Sequence, residues 1–183
     1  VNPDKQDVSM AIAGNSDHTQ LSGTSISQVP DKKRAYVLKK FPDYYPEGCS
    51  TVKIGMCQVY TEEWAVEENI KRSLEAIDLA SEQGAEIAIT PECVFHGYPF
   101  DDTHGKSDSF RQKLYSVAET LDGAHVRLFK DKAKDKGIHI SVGFVEKGEG
   151  NLIHNTAALI SPEGQFVYVY RKVHCRHFEN INH

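Results

Sequence analysis

The chain lacks the marks of several large classes of protein. Its longest unbroken apolar run is Phe166–Tyr170, against the roughly 18 apolar residues of a membrane-spanning helix, so no membrane partner is expected. Its four cysteines, Cys49, Cys57, Cys93 and Cys175, form no Cys-x-x-Cys pair. That spacing fits neither a zinc knuckle nor a disulfide-stapled scaffold and suits a reducing, cytoplasmic setting. Positive charge is not in excess: 21 Lys and Arg against 26 Asp and Glu leave a net charge of −5, so no broad basic face for nucleic acid is expected. There is no Gly-rich phosphate loop, no internal repeat and no apolar leader behind Val1, though Val1 is not a methionine and a leader further upstream stays open. What remains, at 39% hydrophobic and 26% charged over 183 residues, suits about one globular domain with a remainder.

That remainder lies at the start. Residues 1–50 are polar and largely without periodicity, and are expected to form a mostly disordered extension. Within it, Ala35 to Phe41 has room for a turn or two of helix before Pro42. Order is expected from Thr51. Residues 52–59 are apolar on both faces, as in a covered strand. Thr61 is a candidate helix N-cap, and Val66, Ile70, Leu74, Ile77 and Ala80 then repeat at helical spacing up to Gly84. Ala85–Thr90 is a short buried strand ended by Pro91, so strand, helix and strand predict a right-handed crossover and a parallel pair. A second helical region, 109–136, is interrupted at Asp122-Gly123 and closed by Gly137, with Val126, Phe129 and Ala133 as its apolar stripe. Strands follow at 138–145, 155–160 and 165–170, the last two joined by the turn Ser161-Pro-Glu-Gly164. The class is α/β.

In such sheets ligands gather beyond the carboxyl ends of strands. Two ends carry chemistry. Glu92 follows a buried strand and a proline, where partial desolvation would suit a general base; it would equally serve as a cap or a solvated loop acid. Lys172 follows the hydrophobic strand 165–170, where a lysine alone is an edge gatekeeper.

Taken together with their surroundings, these segments resemble the nitrilase, or carbon–nitrogen hydrolase, superfamily. Lys53-Ile-Gly-Met-Cys-Gln58 through Asn69 looks like its first strand–helix unit. Thr90-Pro-Glu-Cys93 with Gly97-Tyr-Pro99 resembles its glutamate motif. Asn155-Thr-Ala157, the Ser161–Gly164 turn and Tyr170-Arg-Lys-Val-His174 resemble its hairpin and lysine motif. The resemblance covers about residues 51–178 and implies a partial α-β-β-α sandwich over residues 51–183, behind the disordered N-terminal extension. It further implies hydrolysis of non-peptide carbon–nitrogen bonds in small amide, carbamoyl or nitrile substrates by a Cys-Glu-Lys group, with ammonia released. Glu92 matches the general base and Lys172 the stabiliser of the oxyanion, a fixed ammonium being suited to developing negative charge. Glu179 is a candidate second acid supporting the lysine. Tyr98 and Phe95 either line the pocket or pack the loop. No organic cofactor or metal is implied, and a homo-oligomer is expected at full length. The lysine motif is closer to the amidase and carbamoyl branches, but Gly-Tyr-Pro also occurs among nitrilases, so a nitrilase-branch enzyme stays an alternative, as does a non-catalytic scaffold or binding protein of the same fold.

The nucleophilic cysteine of the superfamily lies beyond its lysine motif, and no cysteine here stands in that context. Cys57 reads as core, Cys93 as packing, and Cys175 does not match the nucleophile's turn. The chain is therefore expected to be the N-terminal part of a longer enzyme, inactive alone and aggregation-prone through an uncovered sheet face. His174, Cys175, His177 and Glu179 are zinc-ligand types without a second ligand pair at ordinary spacing, so no metal site is expected. The central spatial expectation is that Glu92 and Lys172 point into one hollow.

Overall fold

The computed structural model describes residues 52–100 and 107–175 with their side chains, and residues 10–14, 17–21 and 37–39 as backbone alone. The last three segments are strands β1 (Met10–Gly14), β2 (Asp17–Leu21) and β3 (Val37–Lys39). At 37–39 a strand stands where one or two helical turns are expected. Its backbone pairs antiparallel with β1 on one side and with Gly55 and Met56 on the other, and that pairing outweighs a weak local helical preference. The remainder of residues 1–50, where the disordered extension is expected, lies outside the described residues.

Strand β4 (Ile54–Met56), helix α1 (Val66–Glu82) and strand β5 (Ile87–Ile89) form the crossover unit, and β4 and β5 are parallel as their spacing predicts. Helix α1 buries Val66, Ile70, Ile77 and Ala80. It begins later than a cap at Thr61 would place it, and Ala65 occupies the N-cap position without a side-chain bond. The preceding residues are held instead by tertiary bonds, Glu62 to Asn69 and Trp64 to the carbonyl of His96. Helix α2 (Asp108–Val117) is capped by Ser107, whose hydroxyl accepts from the Phe110 N–H. Helix α3 (Ala124–Lys136) buries Val126, Phe129 and Ala133 and stops at Gly137 in the left-handed region. Strand β6 (His139–Lys147) lies parallel to β5, while β7 (Ile153–Ile160) and β8 (Phe166–Arg171) follow antiparallel through the Ser161–Gly164 turn. The sheet order is β2-β1-β3-β4-β5-β6-β7-β8. Among the described residues no helix is long and apolar enough to cross a membrane.

The two faces of the sheet are unlike. Successive strand residues point to opposite sides, so each strand sorts its residues between them. Ala88, Ile140, Val142, Phe144, Ala158 and Ile160 meet α1 and α3 in one buried core. Among the described residues the opposite face is covered along β6, by the turn at 90–94 and by α2, which packs Phe110 and Leu114 against Cys93, Val145 and Ile153. Elsewhere it presents large side chains to solvent: Met56 is 43% exposed, Tyr170 43% and Tyr168 62%. A mixed sheet with α1 and α3 on one face and the other largely uncovered among the described residues agrees with half of a two-sheet sandwich.

Candidate active site

Glu92 owes its position to a turn pinned from both sides. The Thr90 N–H donates to the Ser141 carbonyl at 2.9 Å and the Val94 N–H to the Gly143 carbonyl at 2.8 Å. A Cβ on Gly143 would stand 2.7 Å from the Pro91 carbonyl oxygen and 3.0 Å from the Glu92 Cα, so only glycine lets the turn lie flush on β6. On the other side a Cβ on Gly97 would fall 2.6 Å from the Glu62 carbonyl oxygen. The buried carboxamide of Asn69 closes this side. Its Oδ1 accepts from the Glu62 N–H at 2.8 Å, and its Nδ2 donates to the carbonyls of Glu62 at 2.7 Å and Phe95 at 3.1 Å. Around these ties Trp64, Cys93 and Tyr98 hold positive φ values of 66°, 49° and 57°. Such conformations cost non-glycine residues about 1–2 kcal/mol each and persist where the surroundings over-determine them.

Lys172 reaches the same place from regular structure. It directly follows β8, and its backbone N–H donates to the Asn155 carbonyl at 2.8 Å. Its Nζ donates to Glu92 Oε1 at 2.8 Å, and Asn155 Nδ2 donates to the same oxygen at 2.6 Å. Acid and amine, far apart in the chain, thus meet directly. Their side chains are 46% and 24% exposed, so the pair contributes at most about 1 kcal/mol to stability. A carboxylate and an ammonium held together at such low benefit suit chemistry: one group takes or gives a proton, the other stabilises developing negative charge.

The remaining expected site residues lie elsewhere. Of the two readings left open for Phe95, packing describes its side chain: it is fully buried on the helix-covered side, with ring centroids 5.4 Å from both Phe129 and Phe144. Tyr98 packs partly buried on the second cluster, 5.2 Å from the Phe100 ring. Glu179 and His177 lie outside the described residues. Cys57 is buried in the main core, and burial pushes its thiol up to about 12, far from thiolate formation near neutrality. Cys93 is fully buried in the second cluster. Cys175 is exposed, with Sγ 3.6 Å from the Lys172 carbonyl. Among the described residues no group of three His, Cys, Asp or Glu side chains is placed to hold a metal ion.

Two residues make contacts to which the motif reading assigns no role. Asn155 is one. The other is Glu146, fully buried on the opposite face of the sheet, where Arg171 donates to Oε1 at 2.6 Å and to Oε2 at 3.0 Å and the Thr156 hydroxyl donates to Oε2 at 2.7 Å. Burial pushes this carboxyl upward, but the Arg171 and Thr156 bonds outweigh it and hold Glu146 below the ordinary carboxylate range. The sequence does carry a signal for it: Glu146 continues the inward alternation Ile140, Val142, Phe144, where a charge demands a partner.

Comparison with known proteins bears on this geometry. A family model described as carbon–nitrogen hydrolase matches residues 53–182. A nitrilase of Pyrococcus abyssi is 29% identical over 124 residues, covering 67% of this chain and 44% of the relative. Omega-amidase NIT2 of Danio rerio is 26% identical over 107 residues, covering 58% and 35%. The chain therefore spans less than half the length of these relatives. Among solved structures, an N-terminal amidase superposes with a TM-score of 0.59 at 21% identity, covering 70% of this chain and 30% of that one. The C. elegans NitFhit protein superposes at 0.54, also 21% identical, covering 67% and 28%. These likenesses establish a shared fold.

Proposed function

The chain belongs to the carbon–nitrogen hydrolase family, and we propose that the protein hydrolyses amide or N-carbamoyl bonds of small molecules with release of ammonia, using Glu92 and Lys172 as reacting groups. The observation that carries this reading is the Lys172–Glu92–Asn155 cluster at 2.8 and 2.6 Å, on the sheet face the helices α1 and α3 leave open. Glu92 is the general base: it takes the proton of a thiol nucleophile and later activates water on the thioester. Lys172 stabilises the oxyanion of each tetrahedral intermediate. Among the described residues both bonds to Glu92 fall on Oε1, which leaves Oε2 for the incoming proton. The thiol is supplied from outside these 183 residues, a reading supported by the burial of Cys57 and Cys93 and by the share of its relatives that the chain spans. Glu179 is kept as the second acid behind the lysine. A cytoplasmic setting and a homo-oligomeric state belong to the same proposal.

The test is ammonia release by the full-length protein from amide, N-carbamoyl and nitrile compounds. Turnover of nitriles alone would move the protein to the nitrilase branch, and no turnover of any class would favour a scaffold. Removing a general base or an oxyanion donor costs about 10²–10³ in kcat, so Glu92→Gln and Lys172→Ala are each expected to lose that much. Undiminished turnover in either variant removes that residue from the mechanism.

A further inference from the structure

We propose that the cluster of buried Glu146 and Thr156 with the half-exposed Arg171 aims Lys172 at Glu92, which makes Glu146 and Arg171 positioning residues for the hydrolysis proposed above. The inference rests on that reading and extends it to the far face of the sheet. Two neighbouring pairs of residues carry it. Asn155 and Thr156 are adjacent on β7, and Arg171 and Lys172 are adjacent at the end of β8. Adjacent strand residues point to opposite faces. On the helix-covered face Thr156 and Arg171 bind Glu146; on the open face Asn155 and Lys172 bind Glu92. One carboxylate on each side is thus gripped by one residue from each strand.

This mirrored arrangement answers a problem of register. The pairing of β7 with β8 shifts between Leu159 and Ile160, near the turn, and then runs without interruption from Leu159–Tyr168 to Thr156–Arg171, where the two grips fall. A slip of one residue would exchange the faces, sending Lys172 into the core and Arg171 toward Glu92. The planar guanidinium, bonded to both oxygens of a buried carboxylate, tolerates no such slip. Stability alone does not explain a charge in this core, because apolar residues of similar volume serve a core as well or better. Its neighbours on that face, Ile140, Val142 and Phe144, show what packing by itself selects.

The experiment reads the position of the amine without using turnover. Lysines of the full-length protein are acetylated competitively with acetic anhydride and quantified by mass spectrometry, Lys172 against the exposed Lys71. Lys132, bonded to Asp78 at 2.7 Å, reports any general loosening. Releasing Lys172 from an ion pair worth up to about 1 kcal/mol is expected to raise its rate about threefold to fivefold in Glu146→Gln, with Lys132 unchanged. The double variant Glu146→Gln/Arg171→Met removes both charges of the pair, leaves no unpaired charge at the core, and is expected to show the same rise. Protection of Lys172 equal to the unsubstituted protein in the folded double variant overturns the proposal, as does a matching rise at Lys132. Failure of the hydrolase reading is separate: it shows as no ammonia release from the unsubstituted protein, whatever the labelling ratio.

Discussion

The helix-covered and open faces of the sheet are built from the same strands, yet they answer to different demands. On the covered face Gly55 lies against Ala80 of α1, and Phe95 stacks between Phe129 and Phe144, so residue size is set by its neighbours. Glu146, a buried charge on that face, accepts three hydrogen bonds. On the open face tyrosines stand in solvent, strained backbone is tied down by Asn69, and an acid and an amine meet where little stability follows. Alternation lets one stretch of chain serve both. Position 171 or 156 can be optimised for packing and position 172 or 155 for chemistry, with one peptide unit between them.

The contrast is sharpest in the cost of truncation. Phe129→Ala removes a fully buried ring from the covered face and leaves a cavity, and is expected to lower unfolding free energy by about 3–5 kcal/mol in urea titration. A loss below about 1 kcal/mol would mean that the core α3 builds there is loosely packed.

Acid should separate the faces next. His96 is fully buried beside Trp64 and Phe100 on the side of the second cluster, and among the described residues neither ring nitrogen has a hydrogen-bond partner. Burial disfavours the imidazolium and pushes its pKa down to about 4. The unfolded chain takes up that proton near 6.5 and the folded chain does not, so between pH 6.5 and 4 the unfolded state binds more protons and stability falls as pH falls. The full span is worth about 3 kcal/mol at 1.36 kcal/mol per pKa unit. Glu146, held low by Arg171 and Thr156 against burial, loses stability in the same direction. His96→Leu should flatten the stability–pH slope in this window and leave the Glu146 contribution below it. An unchanged slope would show that the imidazole is not held neutral.

Much of this division is legible in the sequence. Helical spacing in Val66–Ala80 and in Val126–Ala133 marks the faces that cover the sheet, and Gly137 and Gly164 mark real stops and turns. Glu92 and Lys172 stood out because each follows a strand, and the structure brings them together. What local pattern did not show was set by distant partners. Thr61 has the chemistry of a cap, but bonds from Asn69 and His96 shape residues 62–64 and delay the helix to Val66. Phe95 sits three residues past a candidate base and yet packs in the core between Phe129 and Phe144, partners distant in the chain. Glu146 lay just past the expected end of its strand at Val145, and the strand runs on to Lys147 because it pairs with Ile153 and His154.

The smallest expected effect is the most telling about the open face. Tyr168 is an aromatic strand residue like Phe144, but it pairs with Leu159 on the side away from α1 and α3 and is 62% exposed. An exposed side chain with little to pack against changes stability by no more than about 0.5 kcal/mol when truncated, so Tyr168→Ser should leave the urea midpoint nearly where it was. The two substitutions together measure how much of the asymmetry belongs to the fold. If Tyr168→Ser costs as much as Phe129→Ala in the full-length protein, the open face is covered there by further structure, and the Glu92–Lys172 pair lies at a buried seam. A small change leaves the pair at an open surface, where its exposure in these residues is its working condition.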